Sequence, residues 1–316
     1  MTRIICFDLK EIHMRAEISG LKMPKYSDDK KTACAAGRLN LNWEQILHFR
    51  KWFKSYVSRF YSGDPEIQKN FSLKEDHTWR VAREIHEIAA SLSLPEEEIC
   101  LAGITALFHD IGRFEQFALY RTFSDWKSEN HAVLGIRILR EERVLGELDP
   151  NLQKLIQAVI FWHNRAAPPQ KGEDRMKLLS RLLRDADKLD IWRVITAAYK
   201  RRDGSRNLAL EHNLPDDPRI TPSVLEEVIS GKPVSISLIK TRNDFKLLHL
   251  SWIFDINFAH TFRIIRERNY LEIIRDSLPD TGEVGRAYDA AAYHAQAGVS
   301  KPPAPAIRES LLRISS

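Results

Sequence analysis

The chain has 316 residues, 43% of them hydrophobic and 29% charged, which is the composition of an ordinary globular protein with enough apolar material for one large core or two small ones. No apolar run approaches the ~20 residues needed to cross a bilayer, and the N-terminus lacks the features of a signal peptide, so a cytoplasmic protein without a membrane partner is expected. The net charge of +5 comes with both signs interspersed; it suits an anionic substrate, and no aromatic-interleaved basic stripe argues for nucleic acid.

The three cysteines, Cys6, Cys34 and Cys100, form no CxxC pair. They suggest reduced thiols rather than a disulfide framework or a cysteine zinc site.

Residues 1–40 are weakly patterned and are set apart as an N-terminal segment. From Asn42, apolar residues recur at spacings of three and four (Trp43, Ile46, Leu47, Phe53, Tyr56, Val57, Phe60), which predicts a helix. A second is predicted over 72–92, with Trp79, Val81, Ala82, Ile85 and Ile88 on its core face. Pro95 and three glutamates open a third, which runs through Leu101, Ile104, Leu107 and Phe108 to His109-Asp110, with Gly112 at its end. A loop over 117–128 follows, with Ser128 as the N-cap of a helix that starts with His131. Pro150 opens a helix that delivers His163 at its end.

Residues 166–172 read as a loop, and a long helix over 176–199 carries Asp185, Asp187 and Asp190. The basic cluster Lys200-Arg201-Arg202, with Arg206, reads as a solvated helix end. Pro215, Pro218 and Pro222 limit regular structure over 203–222. Val234 to Leu238 alternates but is too short to count as a sheet. Further helices are expected, among them one over 251–276 whose aromatic stripe reads as core. The alanine- and proline-rich residues 282–316 read as a peripheral tail. The fold class is all-α.

The chemistry concentrates at His109-Asp110. The pair sits in a dense apolar stretch, Ala106-Leu-Phe-His-Asp-Ile-Gly-Arg113, where an ionised carboxylate is costly unless something pairs with it. A metal ion can partner both side chains at once. His77 upstream and His131, His163 and Asp187 downstream supply further imidazoles and a carboxylate, a donor set that suits divalent ions such as Mn, Fe, Co, Ni or Zn. Asp185 and Asp190 compete with Asp187 on the same helix. A core histidine is the plain alternative for His131 and for His163. His86 is about half a turn out of phase with His77.

The order His…His-Asp…His…His…Asp resembles the HD superfamily of metal-dependent phosphohydrolases, strongly over about 70–192 and plausibly over about 40–280. The resemblance implies an all-helical HD-domain bundle with flanking helices, placed here at 41–281. It also implies two divalent metal ions, Mg included among the candidates. His77, His109, Asp110 and Asp187 match the superfamily's defining ligands, and His131 and His163 match the two extra histidines of its binuclear members. Asp110 would bridge the ions, and a hydroxide between them would attack phosphorus in a phosphomonoester or phosphodiester.

Arg113 would clamp phosphate or stabilise the leaving group, and Lys188 could hold phosphate. A solvated helix-end cation and a surface lysine are the respective alternatives. The expected partner is a small phosphorylated substrate of nucleotide type. The cyclic-dinucleotide (HD-GYP) branch usually has lysine where this chain has Arg113. Asn164 follows His163 here, and the Gly-Tyr-Pro segment is missing, so cyclic-di-GMP is disfavoured. The run from His109 to Gln116, with Ser128-Glu-Asn-His131, looks like a bacterial group of stand-alone HD hydrolases. The same ligand order also resembles the superfamily's mixed-valent di-iron oxygenases, and a non-catalytic nucleotide sensor would use the same site.

Overall fold

The computed structural model describes residues 41, 43–200, 211, 214–215 and 217–300. The expectations for residues 1–40 and 301–316, for Arg201, Arg202 and Arg206, and for most of 203–216 lie outside them. Among the described residues the chain is all-α, with no strand and no helix long and apolar enough to cross a membrane.

Helix α1 (Trp43–Ser58) buries Ile46, Phe49, Phe53, Tyr56 and Val57. The second helix starts earlier than its apolar stripe: α2 (Pro65–Ser91) begins where Asp64 accepts from the Glu66 and Ile67 amides and Pro65 occupies the first turn. Helix α3 (Glu96–Phe108) is apolar almost all round, as a helix inside the protein must be. It packs on α2 and is also touched by α1, α6 (Pro150–His163) and α7 (Asp174–Tyr199).

Gly112 does not end α3. The chain turns at His109-Asp110-Ile111 and Gly112 opens α4 (Gly112–Tyr120). The reason for glycine is steric. Helix α5 (His131–Glu141) crosses so closely that a Cβ on residue 112 would overlap the His131 carbonyl oxygen and reach 2.7 Å from the Gly135 nitrogen. A short 3-10 turn, Asp125–Lys127, interrupts the expected loop. The N-cap of α5 is Asn130, whose side chain accepts from the Val133 amide. Ser128 instead donates to the Ser124 carbonyl and accepts from Gln116.

The long helix expected over 251–276 is instead three short pieces. Helix α9 (Arg242–Ser251) ends in a 3-10 turn (Trp252–Asp255), followed by α10 (Ala259–Glu267) and α11 (Tyr270–Asp276). The break at Asn257 has a distant cause. The Asp185 carboxylate, on α7, accepts from the Asn257 and Phe258 amides and the Asn257 side chain, and these amides are thereby held outside any helix. Asn269 takes a left-handed conformation between α10 and α11.

Helix α8 (Pro222–Ile229) packs on α9, and α12 (Gly282–Val299) packs on α8, α10 and α11. So residues 282–299, expected in a peripheral tail, belong to the packed body. Val284, Ala287, Ala291 and Ala295 recur every three or four residues and are buried. Cys100 is disulfide-bonded, where a reduced thiol was expected.

Candidate metal centre

Five elements deliver six side chains to one place. His77 lies mid-way along α2, His109 and Asp110 in the α3–α4 turn, and His131 at the first position of α5. His163 is the last residue of α6, and Asp187 lies within α7. They form two groups with ligand atoms mutually within 4.8 Å: His77, His109 and Asp187; and Asp110, His131 and His163. These are the six residues expected from sequence.

Asp110 stands between the groups. Its Oδ2 is 3.6 Å from His77 Nε2 and 3.8 Å from His109 Nε2, while Oδ1 is 3.3 Å from His131 Nε2 and 3.9 Å from His163 Nε2. Within the first group, Asp187 Oδ1 is 3.1 Å from His77 Nε2 and 3.7 Å from His109 Nε2. Metal–ligand bonds of about 2.1 Å place neighbouring ligand atoms about 3.0–3.4 Å apart, close to this spacing.

The donor set fits cations for a second reason. Each imidazole has an acceptor at Nδ1. His77 faces Asp190 at 2.7 Å, His109 the Ala106 carbonyl at 2.7 Å, His131 both Asp125 oxygens at 2.8 Å, and His163 the Ile160 carbonyl at 2.5 Å. Those partners assign the proton to Nδ1 and leave Nε2 with a lone pair. The bare nitrogens then face each other in pairs, His77–His109 at 3.3 Å and His131–His163 at 2.9 Å. Two lone pairs at that distance repel unless a cation lies between them.

The electrostatics divide the ligands, drawing His77 toward its protonated form while holding Asp110 ionised and His163 neutral. Burial and Lys74 oppose a charge on His77, yet Asp187 and Asp190 outweigh them and raise its pKa. Burial opposes ionisation of Asp110, but Lys74, His109, Arg113 and His131 hold its carboxyl well below the usual range. Burial, with His131 and His109 nearby, pushes His163 down to about 3 and keeps its imidazole neutral, as a ligand must be.

Each group has an outer carboxylate of its own. Asp190 accepts from His77 and, through both oxygens, from Arg80 (2.5 and 3.0 Å). It was a rival for the ligand position; the structure makes it the residue that orients His77, and Asp187 the one among the ligand atoms. Asp125 accepts from His131, from Arg113 at 2.9 Å, from Gln116 at 3.0 Å and from Asn164 at 3.1 Å. It was missed in the sequence, where it sits in a stretch without periodicity.

Of the expected phosphate-binding cations, Lys188 is engaged elsewhere and Arg113 is engaged through one nitrogen, Nη1. The Arg113 guanidinium donates to Gln116, to the Phe123 carbonyl and to Asp125, with its Nε 3.5 Å from Asp110 Oδ1. Lys188 is buried with its ammonium 2.7 Å from Asp255, which also receives Arg184. A third cation, Lys74, was not singled out in the sequence, although it lies one turn before His77. Its Nζ is 2.8 Å from Asp110 Oδ2. His48, His86, His249, His260 and His294 lie outside both groups.

Residues 75–192 match the family model for the HD domain, a span that contains all six ligand candidates. This span is similar to an HD domain. This domain is an all-α fold of a superfamily of metal-dependent phosphohydrolase type whose members bind divalent metals. No curated protein and no solved structure gives a significant match.

Proposed function

We propose that this protein is a metal-dependent phosphohydrolase that cleaves a phosphomonoester or phosphodiester, with a small nucleotide-type molecule as substrate. The observation that carries the reading is the Asp110 carboxylate, with one oxygen toward each histidine group. His77, His109, Asp187 and Asp110 would hold one divalent ion, and Asp110, His131 and His163 the other. Two such ions supply a nucleophile from water at neutral pH and neutralise phosphoryl oxygens during in-line attack.

The rest is done by the chain. Asp190 and Asp125 fix the ring planes of His77 and His131, so each Nε2 is aimed before anything binds. Arg113 anchors Asp125 and faces Asp110, and so keeps the α4–α5 junction in register with the bridging carboxylate. The two aspartate ligands carry two negative charges against the four positive charges of two divalent ions. The surplus favours an anionic substrate.

Elemental analysis of protein purified without added metal, beside Asp110→Ala and with phosphate release from nucleotides and generic esters as readout, tests this. About two transition-metal or magnesium ions per chain, lost with metal-dependent hydrolysis in the variant, support the hydrolase. Two irons with oxygen-dependent turnover and no hydrolysis move the assignment to the di-iron oxygenases that share this ligand order. Nucleotide binding without turnover indicates a sensor. A protein that holds no metal and gains no activity when metal is supplied refutes the site.

A further inference from the structure

Three cations surround the six ligands, and their partners differ. Arg113 is held by two side chains and a backbone carbonyl in addition to Asp110. Lys188 is held by Asp255. Among the described residues the Lys74 ammonium has a single polar partner, Asp110 Oδ2 at 2.8 Å, and lies 5.2 Å above the Phe123 ring. Its side chain is 12% exposed, against 5% or less for the four histidines and Asp110, and lies with the 18%-exposed Asp187 on the less buried side of the site. An ammonium has three donors, and here one carboxylate oxygen receives it.

That oxygen is the one Asp110 turns toward His77 and His109. A divalent ion on it would repel the ammonium and take over its acceptor. Lys74 would then lose its only anionic partner while remaining tethered one helical turn from His77. A dianionic or monoanionic phosphoryl group entering beside the first ion presents the acceptor it lacks. We propose that Lys74 is the substrate-binding cation of this site, released from Asp110 by metal and captured by a non-bridging phosphoryl oxygen. This assigns to Lys74 the role that the sequence suggested for Arg113 and Lys188. It rests on the phosphohydrolase reading above.

The test compares wild type, Lys74→Met and Lys74→Arg, each loaded with the same divalent metal. Metal content, the affinity for inorganic phosphate by calorimetry, and KM and kcat for p-nitrophenyl phosphate and its bis-ester are measured. Lys74→Met is expected to keep its metal and to bind phosphate about tenfold to a hundredfold more weakly, the loss of one charge-assisted hydrogen bond. KM rises in parallel, and Lys74→Arg restores part of both. Wild-type phosphate affinity and KM in metal-loaded Lys74→Met overturn the proposal. So does loss of metal from Lys74→Met when the fraction still loaded binds phosphate normally, because the lysine then serves the metal groups. If wild type hydrolyses no ester, the phosphohydrolase reading fails on that result alone, and the phosphate titration still decides for Lys74.

Discussion

The two histidine groups are built alike and supported differently. Each has an imidazole whose Nδ1 is held by an aspartate, and each aspartate is gripped by an arginine: His77–Asp190–Arg80 in one, His131–Asp125–Arg113 in the other. The first set comes entirely from α2 and α7, two long helices packed along each other. Its carboxylate is fully buried, with the Asp190 side chain at 0% exposure. In the second set the carboxylate comes from a 3-10 turn in a connecting segment and is 27% exposed. Helix interiors open only with the global fold, whereas connecting segments open at lower cost. The second group is therefore expected to hold its ion less rigidly and to exchange it faster.

The largest departure should come from the rigid side. Asp190→Ala leaves His77 and Arg80 without their shared acceptor inside the helix pair. It should weaken the first ion and lower stability by about 2–4 kcal/mol, less than for a wholly buried pair because Arg80 is partly exposed. Denaturation of the metal-free protein checks this, and an unchanged midpoint would contradict the view of α2–α7 as the firm half. Asp125→Ala should weaken one of two ions by about 10–100-fold and leave the other in place. A two-site metal titration distinguishes that from uniform weakening.

Gly112→Ala sharpens the contrast from the backbone. A Cβ there forces α4 away from His131, so the second group should lose metal affinity, and the fold about 1–3 kcal/mol. Loss of the first ion instead would show that the two groups move as one.

The smallest effect is expected from acid. Burial opposes ionisation of Asp255, but Lys188 and Arg184 lower its pKa below the ordinary value. A depressed carboxyl contributes stability above its unfolded pKa of about 4 and loses that contribution as the pH falls through the native value. Arg184 also donates to the carbonyls of His163 and Arg165, so this ion pair ties the end of α6 to the C-terminal helices. The melting temperature of wild type should fall more steeply below pH 4 than that of Asp255→Asn. Parallel curves would remove Asp255 as the cause.

The six ligand candidates were legible because their order along the chain survives folding and because His109-Asp110 has no plain reason to sit in an apolar run. The helices that carry them were legible from their apolar period, whereas the caps read at Ser128 and Gly112 were not the ones the chain uses. What escaped depends on distance in sequence. Asp185 breaks the helix at Asn257 from 72 residues away, and no local pattern announces that. Asp125 has no periodicity around it, and only the four donors that converge on it reveal its place. Alanines at 287, 291 and 295 carry little hydrophobic contrast, yet their small size lets α12 dock closely. Gly112 reads as a stop signal in sequence, whereas its missing side chain serves the neighbouring helix.

Asp110 offers an oxygen to both groups, which has a thermodynamic consequence. Two ions that share a carboxylate cannot have independent dissociation constants. Occupancy of one group fixes the rotamer and consumes part of the charge on which the other depends, and whatever factor the first ion imposes on the second is returned unchanged. On the two-ion reading proposed above, loading would be a linked equilibrium with a single coupling constant. Its sign decides whether, at limiting metal, the population consists of half-filled chains or of empty and full ones.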